Sequence, residues 1–217
     1  MIKNLLKSSL FFIGFLFLQR LLYLGSFLNQ WQSAKISDLA TCVLAGLRFD
    51  LMTAGYCLLP FLFLSIGPIR HLLVKIELMG FIWKLLLAVI LTLTAVIGTL
   101  DIQWTIEFAD RFNSAHTMTE FISQAEFSAT FVINFLAELA ILVLLIAKLW
   151  HWKISWQPRA SIFEWAVALF FVAMMIRGTI GPHHLDLRHA EVTESQFLNC
   201  AAITSPYALD QAERQRR

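Results

Sequence analysis

Charge is scarce in this chain: charged residues make up 15% of its 217 positions, against 58% hydrophobic ones. That balance excludes a soluble domain of this length. Cysteine is nearly absent. Cys42 and Cys57 fall inside one apolar run and Cys200 lies far downstream, so no pair suggests a disulfide. There is no glycine-rich phosphate loop, no nucleophile elbow and no HExxH pair. No complete catalytic constellation is therefore expected in this chain, and no metal ligand set or cofactor. The absence of internal repeats and of inverted, broken helices weakens a transporter reading. No nucleic-acid partner is expected.

What the chain has instead is five apolar runs, at 5–28, 40–67, 79–100, 129–150 and 161–177. Each is near the ~20 residues a helix needs to cross ~30 Å of hydrocarbon. The first follows Lys3 and Lys7 but is long for a signal peptide and lacks a small-x-small cleavage site, so it reads as a retained anchor. The connecting segments alternate in sign. Lys3 and Lys7, then Arg70, His71 and Lys75, then Lys148, His151, Lys153 and Arg159 mark one side; Asp101, Glu107, Asp110, Glu120 and Glu126 mark the other. Basic loops stay in the cytoplasm. The expectation is an all-α, multi-pass protein of the cell (inner) membrane, with residues 1–177 forming a five-helix bundle, the N-terminus cytoplasmic and the C-terminus exported. Pro60 is expected to kink the second helix and Gly67-Pro68 to end it. Trp31, Trp104, Trp150, Trp152 and Trp156 are placed near the interfaces, where amphipathic rings settle.

In the third loop, Phe108, Phe112, Ala115, Met118, Ile122 and Ala125 recur at intervals of three and four. This predicts an amphipathic helix lying on the outer interface, either capping the bundle or acting as a ledge for an exported domain or lipid head group. Residues 178–217 lose the apolar density and are expected to form an extended exported linker, too short for a core of its own. The stretch His183-His184-Leu185-Asp186-Leu187-Arg188-His189 contains good ligand types, but its spacing matches no closed zinc pattern and it reads as solvated linker.

Ionisable residues inside spans are costly and raise a functional question wherever they occur. Arg20, Arg48, Asp50 and Glu138 all fall roughly 12–15 Å below the outer surface, at ~1.5 Å of rise per residue. Arg48 and Asp50 are two apart and point to different faces, so each should look to a different helix. Pairing of Arg48 with Glu138, or of Asp50 with Arg20, is expected. The quartet is either paired packing or a polar recess opening outward, in which Arg20 and Arg48 receive a phosphate-bearing lipid head group and Asn134, one turn from Glu138, lines the same face. Asp101 and Arg177 sit at the outer rims of helices three and five, where they can pair or meet a head group.

Several stretches taken together resemble a known family. Gly46-Leu47-Arg48-Phe49-Asp50-Leu51 is similar to the GLRFD signature of the lipoteichoic-acid-synthase-like phosphoglycerol transferases, within the sulfatase and alkaline phosphatase superfamily. Arg177-Gly178 resembles the RG that closes their membrane domain. Leu185 to Ala190, Phe197-Leu198-Asn199 and Thr204-Ser205-Pro206-Tyr207-Ala208-Leu209 resemble their connecting segment, which often reads Pro-Leu, FLN and then NP-x-x-SL. The resemblance implies a membrane domain for an enzyme that moves phosphoglycerol groups from a lipid donor. It also implies a large exported catalytic domain beyond residue 217, carrying a metal-activated threonine and the divalent metal, so that the membrane lipids and that missing domain are the partners. The alternative is a free-standing small polytopic protein, a transport component using its buried charges.

Overall fold

The computed structural model describes residues 2–31, 34–65, 67–75, 78–108, 129–152, 161–178 and 187–216. Among them there are helices and no strands. Long helices are α1 (Ile2–Ser26), α3 (Ile36–Leu64), α5 (Met79–Phe108), α6 (Ala129–His151) and α7 (Ile162–Arg177). Short ones are α2 (Leu28–Trp31), α4 (Gly67–Lys75), α8 (Gln196–Ala202) and α9 (Ser205–Arg216), with a 3₁₀ turn at Leu187–Ala190. Four helices, α1, α3, α5 and α6, are long and apolar enough to cross a membrane. α7 has 16 residues, about 24 Å at ~1.5 Å each, which is shorter than an untilted crossing of ~30 Å. The predicted amphipathic helix of the third loop lies outside the described residues apart from Phe108, the last residue of α5.

Consecutive long helices run antiparallel. At one end Trp83 on α5 donates to Ser8 Oγ on α1 at 3.0 Å, and Trp165 on α7 donates to the Ser65 carbonyl at the foot of α3 at 3.2 Å. Phe12, Phe61 and Trp83 interlock there edge to face. Lys7, Lys84, Lys148 and His151 also lie toward this end, here called the basic end. α1 packs against α3, α5, α6 and α7, which explains why it is apolar on nearly every side. Outward faces stay apolar too: Leu10, Leu93, Leu144, Phe163 and Phe170 are exposed. A coat of this kind suits lipid tails as solvent.

α3 continues through Pro60 and stops at Leu64 because Ser65 folds back, its N–H and Oγ both donating to the Phe61 carbonyl. A further helix, α4, then begins at Gly67, so the Gly-Pro pair opens an element rather than closing one. α7 ends at Gly178, whose φ of 66° is a left-handed conformation that lets its N–H reach the Met174 and Met175 carbonyls. The close of α7 meets α3 at Gly55, where an added Cβ would lie 2.7 Å from the Ile176 backbone nitrogen. Small residues permit this kind of approach between membrane helices.

The tail corrects the expected extended linker. Residues 187–216 form the 3₁₀ turn, α8 and α9, and these pack across the end of the bundle opposite the basic end. Leu198, Ala201 and Ala202 are buried against Tyr23, Cys42 and Phe49. Ser195 caps α8, accepting from the Leu198 N–H, and Asn199 Oδ1 accepts from the Val192 and Thr193 N–H groups, folding the approach into a closed turn. α9 packs on the end of α5, where Trp104 is 1% exposed beside Ala208. The physical reason is that the tail needs no core of its own: the bundle end supplies the apolar surface and the tail supplies small residues that fit it. All three cysteines are free.

Candidate functional site, a polar layer inside the bundle

Arg20, on α1, is 4% exposed and reaches α3 and the tail at once. Its guanidinium makes a two-pronged pair with Asp50: Nη1 to Oδ2 at 2.6 Å and Nη2 to Oδ1 at 2.9 Å. Nη2 also donates to the Gly46 carbonyl at 2.9 Å. Nε donates to the Ala201 carbonyl at 3.1 Å and Nη2 to that of Ala202 at 3.2 Å. Those two carbonyls close α8, where the last turn leaves acceptors without intrahelical donors. A rigid planar fork suits this task, because it satisfies a carboxylate and several carbonyls in fixed directions. Gly46 is required beneath it: a Cβ there would overlap the guanidinium.

Around this knot the tail is fastened by further contacts. Thr53 and Thr204 share a hydrogen bond of 2.9 Å between hydroxyls, and Cys42 Sγ donates to the Leu198 carbonyl at 3.2 Å. Tyr23 stacks on Phe197 and Phe49 packs against Tyr207. Free space beside Arg20, bounded by Gln19, Ile203, Thr204 and Ser205, is about 10 Å³. That barely admits one water and excludes a phosphate head group in this conformation.

A second polar group lies on the other side of α1. Glu138, on α6, is 1% exposed; its Oε2 accepts from Gln19 Nε2 at 3.2 Å and from Thr99 Oγ1 at 3.1 Å. Gln19 Nε2 also donates to the Thr94 carbonyl at 3.0 Å, and the single Thr99 hydroxyl proton is shared between Glu138 Oε2 and the Ala95 carbonyl. Glu138 Oε1 has no hydrogen-bond partner among the described residues. Asn134, also buried, donates to the Thr130 carbonyl within its own helix. Asp101 is buried near the end of α5, and Arg177 is half-buried in the last turn of α7.

Of the two pairings expected, the structure forms Asp50 with Arg20 and leaves Arg48 and Glu138 apart. Arg48 lies on the exposed side of α3, with Leu44 and Leu51 beside it on the same stripe. The next positions of that stripe, from Gly55 onward, are covered by α7. Arg48 therefore stands about two turns above the place where α7 stops, on uncovered helix. The single outward recess expected for Arg20 and Arg48 together is thus two separate places, an enclosed one and an open one. Gln19, Thr99 and the Ala201 and Ala202 carbonyls escaped the sequence reading; a glutamine beside a buried arginine in an apolar run was the only available signal. Among the described residues no three His, Cys, Asp or Glu side chains converge as a metal site would need. His183, His184 and Asp186 lie outside the described residues.

No known protein family, curated protein or solved structure matches this chain in comparison.

Proposed function

We propose that this chain is the membrane platform of a sulfatase-superfamily phosphoglycerol or related phospho-group transferase of envelope polymer or glycolipid synthesis. It clamps its exported segment in one position and meets an anionic lipid head group at Arg48. One observation carries the reading: stretches that resemble the family, though about 150 residues apart, meet in a single buried cluster. Gly46 and Asp50 hold Arg20, Arg20 holds the end of α8, Phe49 packs on Tyr207, and Asn199 closes the turn before α8. A linker that only tethered would need none of this. A platform that sets the height and orientation of an exported domain needs all of it.

Arg48 supplies the lipid contact. An exposed guanidinium flanked by Leu44 and Leu51 is costly against hydrocarbon, by ~2.5–3.5 kcal/mol at a span centre on insertion scales, and is relieved by a phosphate within its reach. α7 stops at the level of Gly55, a ledge below Arg48, so α7 itself leaves that side chain uncovered. On this reading α7 is a fifth crossing, with the N-terminus cytoplasmic and the tail exported; the shortfall in its length is met by local thinning of the bilayer and by Arg177 extending outward. Catalytic residues and the divalent metal belong to the domain that the family resemblance places after the tail.

Photocrosslinking tests the lipid contact. Membranes containing the chain are labelled with a phosphatidylglycerol analogue that is photoreactive at the head group. Adducts are expected on residues 44–51 and are expected to fall at least tenfold in Arg48→Ala. Adducts spread evenly over all lipid-facing positions would overturn the contact.

The second reading, a free-standing transport component, draws on Glu138 Oε1 inside the bundle, which has no hydrogen-bond partner among the described residues. Proteoliposomes with a pH-sensitive dye inside distinguish the two: the platform reading expects no protein-dependent proton or cation flux, and flux abolished by Glu138→Gln would favour transport.

A further inference from the structure

The basic end of the bundle carries a feature that the platform reading does not use. Between α1 and α6 runs an open groove of about 600 Å³, walled by Leu18, Ile141 and Leu145 and closed at its foot by Lys148, His151 and Trp152. This volume lies in the range of ligand-binding clefts. The sequence builds the groove simply. Ile141, Leu145 and Lys148 recur at intervals of four and three along one face of α6, with His151 three further on. Apolar residues thus give way to cations along a single line.

Length and charge identify the occupant. From Ile141 to His151 the helix rises about 15 Å, at ~1.5 Å per residue, half of a ~30 Å hydrocarbon core. That is the depth of one leaflet, the reach of one acyl chain. Among the described residues, Lys148 and His151 at the foot are exposed and without a hydrogen-bond or ion-pair partner, and none of those that line the groove is acidic. The neighbouring cations are already engaged: Lys84 donates to the Trp150 carbonyl at 2.9 Å, and Lys7 lies 5.5 Å from the centre of the Trp152 ring. The Trp152 ring is itself stacked on Phe11 of α1, which fixes the floor of the groove. A basic last turn also complements the helix dipole, but that purpose requires no apolar channel above it.

We infer that this groove binds one anionic phospholipid of the leaflet at the basic end, its acyl chain lying along Leu18, Ile141 and Leu145 and its phosphate held by Lys148 and His151. The site is at the opposite end of the bundle from Arg48. It depends neither on the family resemblance nor on which way the chain is inserted.

Native mass spectrometry tests it. The whole chain is reconstituted in phosphatidylcholine nanodiscs containing a minor fraction of phosphatidylglycerol, and the lipid retained on release is counted. One phosphatidylglycerol is expected to stay bound, with at least tenfold selectivity over phosphatidylcholine. The double substitution Lys148→Ala with His151→Ala should abolish the selectivity. Ile141→Trp, which fills the groove, should remove the adduct, whereas Leu169→Trp on the exposed face of α7 should change nothing. Retention of lipids in bulk proportions, or full selectivity in the double variant, means ordinary boundary lipid only and overturns the site. So does displacement by soluble glycerol phosphate, which would show an anion site without a chain. An adduct lost in Arg48→Ala but kept in the double variant belongs to the other end and overturns it as well. Lys148 and His151 are exposed, so the double variant keeps the test open if Ile141→Trp does not fold.

Discussion

At the scale of single residues, two buried carboxylates with similar sequence surroundings play unequal parts. Asp50 faces the Arg20 guanidinium in a two-pronged pair; removing either partner takes the opposite charge away from the other among apolar helices. Breaking a buried pair typically costs ~3–5 kcal/mol, so Asp50→Ala and Arg20→Ala are each expected to lower unfolding stability in detergent by about that much. The double variant should lose less than the sum of the two, since no charge is then left unpaired. Glu138 is different, because both of its donors have a second acceptor in the Thr94 and Ala95 carbonyls. Glu138→Gln is expected to cost under ~1 kcal/mol, the scale of one neutral hydrogen bond. Thermal unfolding of the four variants settles the ranking; a Glu138→Gln loss as large as that of Asp50→Ala would contradict it. That Arg20, Asp50 and Glu138 lie at one level of the bundle was legible from residue counts. Which charge meets which was not, because Arg48 and Asp50 project from opposite sides of the same turn, and only helix rotation chooses the one that faces α1.

At the scale of elements, the decisive event is the return of the tail to the bundle. Its apolar side consists largely of Ala201, Ala202, Ala208 and Leu198, all buried, and that side is too slight to register as a core when read along the chain. A large residue at its centre should undo the docking. Ala202→Trp, at a position that is fully buried, is expected to lift α8 and raise amide exchange across residues 196–209 at least tenfold, leaving α3 after residue 50 and α5 before residue 94 protected. Hydrogen exchange read by mass spectrometry checks this; uniform loss of protection would mean that the tail and the bundle unfold together. α5 continues past its apolar run to Phe108 and buries Asp101, Gln103 and Thr105, with Trp104 against Ala208 of the tail and Thr105 within 3.3 Å of the Tyr23 hydroxyl.

At the scale of the molecule, the alternation of basic and acidic loops predicts a cytoplasmic N-terminus and an exported C-terminus. A periplasm-active reporter fused after Arg217 should be active and a cytoplasm-active one silent; the opposite pattern would place the tail and the Arg48 ledge on the cytoplasmic side. The chain is also expected to release no phosphoglycerol from lipid when purified and supplied with divalent metal, since catalysis of that type needs a nucleophile held beside metal ligands. Metal-dependent turnover by residues 1–217 would refute the platform reading.

Apolar composition and run length alone determined that this is a helical, multi-pass membrane protein, because hydrocarbon accepts backbone only when its hydrogen bonds close within each helix. The runs were read as five crossings, of which four correspond to helices long and apolar enough to cross a membrane among the described residues, and the spacing of two between Arg48 and Asp50 already sent them to different faces. Everything that depends on contact between distant segments was left to the tertiary structure. It paired Arg20 with Asp50, turned Arg48 outward, set Glu138 beside Gln19 and Thr99, and drew the tail across the bundle end. The physical reason is the same throughout: a helix's own sequence sets which residues share a face, whereas the direction of that face is decided by the neighbours that cover it.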